Sequence, residues 1–179
     1  MKRITFGILT LTAFLVLITS CNKYDTAEAF AAWKTQNETY FANYKDSADY
    51  VLYTIPASSG GGSYYYKVTL QGDLASVSPT VNERVSVNYR GKLINGIIFD
   101  QTYQGKILQG DTTAVPRLFY PKQLIRGWME NLKQMKTGEV RTIVLPQELG
   151  YGSVGAAPVI SPYSTTIWDV QLVNINHLN

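Results

Sequence analysis

One cysteine and one histidine set narrow limits on the chemistry open to this chain. Cys21 has no internal partner for a disulfide, and one Cys with one His cannot assemble a Cys/His zinc site. A Ser-His-Asp triad would need its base at His177, close to the last residue, where backbone is usually loose. The inventory therefore points away from metal ligation and from a covalent nucleophile. Gly60-Gly61-Gly62 does not read as a phosphate cradle, because neither a Lys-Ser/Thr pair nor a helix start follows it. What the chain has in quantity is aromatic surface: 13 Tyr, 6 Phe and 3 Trp, which imply an aromatic-rich core or an aromatic-lined site. Tyr151 stands between Gly150 and Gly152, and an aromatic on a glycine-flexed loop is seldom there for packing.

The bulk numbers fit a folded protein. Hydrophobic residues make up 45% and charged ones 16% of 179 residues, enough for one ordinary domain plus an appendage. Net charge is +3 without a run of Lys or Arg, so a nucleic-acid surface is not expected.

The first residues read as an address. Met1-Lys2-Arg3 is basic, Ile4 to Ile18 is almost wholly apolar, and Ile18-Thr19-Ser20-Cys21 follows. A basic start, an apolar stretch and small residues before a cut make an export signal. With the sole Cys at the cut, the pattern resembles the lipobox of bacterial lipoproteins, in which that Cys carries the lipid. The alternative is a membrane-spanning anchor, but the apolar run is short and no basic stop-transfer cluster follows. The expectation is a signal peptide over 1–20, lipidation at Cys21, and residence in the cell envelope. The anchoring membrane is expected to be one outside the cytoplasm, an outer membrane with the chain on its periplasmic or surface side.

Elements that could position a site come next. Residues 24–46 have helical spacing in Phe30, Trp33, Asn37, Phe41 and Tyr44. A helix packed on its own domain is favoured over a spacer or dimer arm, since no heptad run appears. Tyr50 to Ile55 is β-prone, and Pro56 to Ser63 reads as a flexible Gly/Ser linker. Strands are expected at Tyr64–Leu70, Val85–Tyr89, Val140–Leu145 and Thr165–Ile175, with an Asn95-Gly96 turn. A helix opening at Pro121 should carry the stripe Leu124, Trp128, Leu132 and Met135 and stop at Gly138. The division is then 1–20 signal, 21–63 helix and linker, and 64–179 folded domain. The fold class is α+β: an antiparallel twisted sheet wrapped on one amphipathic helix, with an N-terminal helical extension.

Four segments, spanning about Tyr64 to Ile175, resemble the FKBP family of peptidyl-prolyl isomerases. They are Val85-Ser86-Val87-Asn88-Tyr89-Arg90-Gly91-Lys92-Leu93 with Phe99-Asp100; Leu124-Ile125-Arg126-Gly127-Trp128-Met129-Glu130; Leu149-Gly150-Tyr151-Gly152; and Ile160-Ser161-Pro162-Tyr163-Ser164-Thr165 running into Trp168-Asp169-Val170. Each is short, but all four fall in the family's order.

The resemblance implies a site. Trp128 would be the pocket floor, lined by Tyr89, Phe99, Leu124, Ile125 and Trp168. Asp100 would sit at the edge and Tyr151 would offer its hydroxyl to substrate. Ile160 would lie on the loop overhanging the site, and the Ile125 N–H could meet a carbonyl oxygen. It implies no cofactor and no metal. Its partners would be proline-containing unfolded or exported polypeptides, and macrolide inhibitors. Trp168 stands where the family usually has Phe, and Val115, Arg117 and Phe119 compete for an aromatic position before the helix. A rival reading is a catalytically weak binding module or holdase that kept the fold.

Overall fold

The computed structural model describes residues 23–105 and 114–176. The export signal, Cys21 and His177 lie outside the described residues. The chain begins with α1 (Lys23–Ala42), which runs into a 3-10 turn at Asn43–Asp46. Five strands follow: β1 (Val51–Thr54), β2 (Ser63–Leu70), β3 (Arg84–Leu93), β4 (Ile98–Gln101) and β5 (Arg117–Phe119). Then come α2 (Arg126–Leu132), β6 (Val140–Leu145) and β7 (Thr166–Asn176). The strands make one antiparallel sheet in the order β1-β2-β6-β7-β3-β4, with β5 also paired to β3. This is the α+β class that the residue pattern implied.

The central strands β6 and β7 are buried on both faces, and successive residues choose the face because side chains alternate along a strand. On the inner face, Val85, Val87, Ile143, Leu145, Val170 and Leu172 pack with Trp128, Leu132 and Met135. On the outer face, Tyr65, Val144 and Ile167 meet Tyr40, Phe41 and Tyr44 from α1 and its following turn. Neighbours such as Ile143 and Val144, or Ile167 and Trp168, thus serve different cores. Each fully buried Val, Leu or Ile contributes about 1.5–3 kcal/mol relative to exposure, so both faces matter to stability.

α1 packs on its own domain, and it does so with polar specificity. Asn37 is fully buried. Its Oδ1 accepts the Thr165 N–H at 2.7 Å and its carbonyl accepts the Thr165 hydroxyl at 3.1 Å. The Pro56–Ser63 stretch, expected as a linker, closes the β1–β2 hairpin. β1 and β2 pair from Val51↔Tyr66 to Thr54↔Ser63, and Ile55 N–H donates to the Gly62 carbonyl at 2.8 Å. The Arg126 guanidinium ties the same loop down by donating to the carbonyls of Ser59 and Gly61.

The helix expected to open at Pro121 is split. Pro121–Gln123 forms a 3-10 turn, closed by the Leu124 N–H on the Pro121 carbonyl at 3.1 Å. Leu124 and Ile125 are extended, with ψ of 166° and 148°, and α2 starts only at Arg126. Apolar spacing cannot distinguish the two arrangements, because Trp128, Leu132 and Met135 are buried on one side in either. The extended pair brings Leu124 and Ile125 to the cavity described next.

Candidate functional site

A cavity of about 260 Å³ opens over the N-terminal end of α2. Trp128, on the first turn of α2, is 4% exposed and lines it. Rings meet Trp128 edge-on: Tyr89 of β3 at 5.2 Å and 87°, and Trp168 of β7 at 5.0 Å and 83°. Phe119 of β5 lies 6.3 Å away at 74°. Edge-to-face packing suits the aromatic quadrupole and holds the walls in fixed orientation. The Trp128 indole N–H is buried and has no partner among the described residues, whereas that of Trp168 donates to the Thr166 hydroxyl at 3.0 Å.

Trp168 fits beside β3 only because position 91 is glycine. Gly91 pairs with Trp168 across β3 and β7 and with Asp100 across β3 and β4. A Cβ there would stand 2.4 Å from the Trp168 ring and 2.7 Å from the Phe99 ring.

The polar side of the cavity is a cluster of three groups. The Tyr89 hydroxyl donates to the Asp100 carboxylate at 2.7 Å. Arg117 donates to the Tyr89 oxygen at 2.6 Å and approaches Asp100 at 3.3 Å. The Asp100 and Arg117 side chains are 41% and 54% exposed, so the ion pair adds little stability. Its effect is to orient the Tyr89 hydroxyl and balance the carboxylate's charge at the cavity edge. Burial, then the hydrogen bond to Asp100, raises the Tyr89 pKa well above the ordinary phenol value. The Tyr151 pKa is raised too, first by burial and then by the Asp100 charge. Both phenols therefore stay protonated as hydrogen-bond donors across neutral pH.

Of the expected site residues, Tyr89, Asp100, Leu124, Ile125, Trp128, Tyr151 and Trp168 converge on the cavity. Phe99 stands behind them, its ring at 4.9 Å from Trp168 and 6.3 Å from Tyr151, both edge-on. Ile160, expected on a loop overhanging the site, is not among the residues that line the cavity. It is 7% exposed and paired with Ala156 through both its N–H and its carbonyl, while Val159 beside it is 41% exposed. A buried apolar side chain holds the base of that loop, and the residue before it faces outward.

The structure also separates the three competitors ahead of the helix. Val115 is exposed, and Arg117 and Phe119 both line the cavity, one residue apart on β5, as period-two alternation dictates. Gln123 lines it as well. Sequence reasoning assigned roles to neither Arg117, Gln123 nor Gly91. Alternation of Arg117 and Phe119 was the signal available, and a three-residue strand is too short to announce it.

A family model described as FKBP-type peptidyl-prolyl cis-trans isomerase matches residues 76–173, and the chain belongs to this family. Among curated relatives, the Coxiella burnetii peptidyl-prolyl cis-trans isomerase Mip is 40% identical over 110 residues, 62% of this chain and 44% of that protein. The Escherichia coli FKBP-type 22 kDa peptidyl-prolyl cis-trans isomerase is 37% identical over 110 residues, 62% of this chain and 48% of that one. The match thus spans less than half the length of these relatives. Among solved structures, a Pseudomonas syringae peptidyl-prolyl cis-trans isomerase superimposes with a TM-score of 0.66 at 25% identity, covering 82% of this chain and 96% of that one. FkpA from Escherichia coli gives 0.66 at 28% identity, covering 85% and 63%.

Proposed function

We propose that the chain is a peptidyl-prolyl cis-trans isomerase that acts non-covalently on Xaa-Pro bonds of exported polypeptides. The observation that carries this is the aromatic cavity itself: Trp128, Tyr89, Trp168 and Phe119 around about 260 Å³, with the hydrogen-bonded Tyr89, Asp100 and Arg117 among its lining. An Xaa-Pro bond turns over a barrier of about 18–20 kcal/mol and takes tens to hundreds of seconds unaided. Resonance makes the planar amide more dipolar than the twisted one. A water-poor, apolar enclosure therefore favours the twisted transition state over the planar ground state. Each tenfold gain in rate needs about 1.4 kcal/mol of that difference.

In this reading Trp128 is the floor under the pyrrolidine ring and Leu124, Ile125 and Trp168 bind it. Tyr151 donates to the substrate backbone, as does the Ile125 N–H. Tyr89 and Asp100 polarise the edge, with Arg117 holding them in place, and Phe99 supports the wall. The full chain should accelerate cis-trans exchange in Xaa-Pro peptides, measured by NMR exchange spectroscopy. If it binds such peptides without accelerating exchange, it is the binding module or holdase instead.

The same reading places the enzyme in the envelope, fastened by a lipid on Cys21, because Ile18-Thr19-Ser20-Cys21 follows a basic and then apolar start. Cys21→Ser should then release the protein from membranes. A variant that fractionates like the parent, with undiminished lipid label, contradicts the anchor.

A further inference from the structure

The β6–β7 connection, residues 146–165, carries Tyr151, and its outer part has little packing to hold it. Val154 is 83% exposed and Val159 41%. Besides the Ala156–Ile160 pair, its shape rests on main-chain bonds from Gly152 N–H to the Gln147 carbonyl, Gly155 N–H to the Tyr151 carbonyl, and Tyr163 N–H to the Gly152 carbonyl, at 2.9, 3.0 and 2.9 Å. The last joins the far end of the loop to the residue beside Tyr151. Tyr163 makes that bond from a left-handed backbone, φ 62°, which a non-glycine residue keeps only when its surroundings impose it.

The surroundings are α1. Lys34 places its ammonium 5.0 Å from the Tyr163 ring centre. The Trp33 indole N–H donates to the Ser164 hydroxyl at 3.2 Å. Asn37 takes both the N–H and the hydroxyl of Thr165, and its amide is braced on the Trp33 carbonyl at 2.8 Å. Three adjacent loop residues are gripped by one helix, since Asn37 lies one turn beyond both Trp33 (i, i+4) and Lys34 (i, i+3). A buried Asn carries a desolvation cost that an apolar side chain on this greasy face would avoid. Its side-chain oxygen is matched to the loop, while its amide nitrogen is held on its own helix.

We propose that α1 is part of the frame of the isomerase site, with Asn37 a positioning residue that sets Tyr151 through Thr165, Tyr163 and Gly152; this rests on the isomerase reading above. The helix that follows the anchor sequence thereby contributes to substrate binding without touching substrate.

The test compares the full chain with Asn37→Ala and the milder Trp33→Phe, which keeps an aromatic ring but loses the indole N–H bond to Ser164. Both are assayed well below their thermal transitions. Asn37→Ala should raise KM for a prolyl peptide about fivefold, the scale of a net hydrogen bond, with a smaller change in kcat. Amide hydrogen exchange at Tyr163 should speed up while Ile143 and Leu172 in the core strands keep their rates. Trp33→Phe should move the same quantities less. In a Tyr151→Phe background, Asn37→Ala should add little, because residues acting through one another are not additive. Full additivity, or exchange that quickens in the core strands as much as at Tyr163, would show that Asn37 serves stability alone and overturn the inference. A wild type that accelerates no isomerisation would remove the isomerase reading, and Tyr163 exchange would still decide whether α1 holds the loop.

Discussion

The two faces of this sheet are both rich in rings, and they use them differently. On the outer face the aromatics are spent on one another: Phe41 lies 5.0 Å from Tyr65, Tyr44 lies 4.7 Å from Tyr50, and the Tyr40 and Tyr44 hydroxyls pair at 3.2 Å. On the inner face Tyr89, Phe119 and Trp168 stand edge-on around Trp128 and leave a cavity between them. The Tyr89 hydroxyl goes to a carboxylate and an arginine instead of a second phenol. The Trp128 N–H has no partner among the described residues. Aromatic content alone does not make a site. A close backbone approach at Gly91, an extended Leu124-Ile125 pair and a charged edge do.

The sharpest break between the faces is expected at their centres. Trp128→Ala should remove floor and core together, costing about 3–5 kcal/mol of stability. Turnover measured on the folded fraction should fall below detection. Tyr44→Phe removes one hydroxyl from the outer pair; it should shift stability by no more than about 1 kcal/mol and leave turnover alone. If the two variants lose activity equally at matched folded fraction, the comparison fails. Gly91→Ala is expected to act next most strongly. Its methyl would stand well inside contact distance of Trp168 and Phe99, so those rings must shift. Overpacking of this kind costs about 1–3 kcal/mol, and the cavity wall should be lost with it. Unchanged denaturant midpoint and turnover would show that the rings have room the structure does not display.

Much of this was legible in the residues, for identifiable reasons. β6 runs over the expected Val140–Leu145, because the β-branched Val140, Thr142, Ile143 and Val144 favour extended backbone and Ile143 and Val144 are buried on opposite faces. The Asn95-Gly96 turn joins β3 to β4 as expected, with Gly96 at φ 84° and its N–H on the Leu93 carbonyl. The break at Leu124-Ile125 was not legible, since a stripe at helical spacing survives a non-helical start. The role of Gly60–Gly62 was hidden because glycine marks hairpin loops and linkers alike. Only the strand pairing of Val51–Thr54 with Ser63–Tyr66 distinguishes them. Asn37 looked like a neutral member of an apolar stripe, and its partner Thr165 lies 128 residues away. The seven residues that converge on the cavity came from the family resemblance, while Arg117 depended on a strand too short to show in the sequence.

The central claim is rotation in an apolar enclosure, with no nucleophile and no general base. Its most direct test is kcat/KM for an Xaa-Pro peptide as a function of pH, with and without a chelator. Tyr89 and Tyr151 have raised pKa values, so both keep their protons in the folded state while unfolded tyrosines begin to ionise near pH 10. The stability they confer is full below that point and is lost as pH rises through their folded values. The account predicts a profile that stays level across neutral pH, is indifferent to the chelator, and declines only in strong alkali. A bell-shaped curve, or a tenfold step near neutrality, would reveal a titrating catalytic group and contradict it.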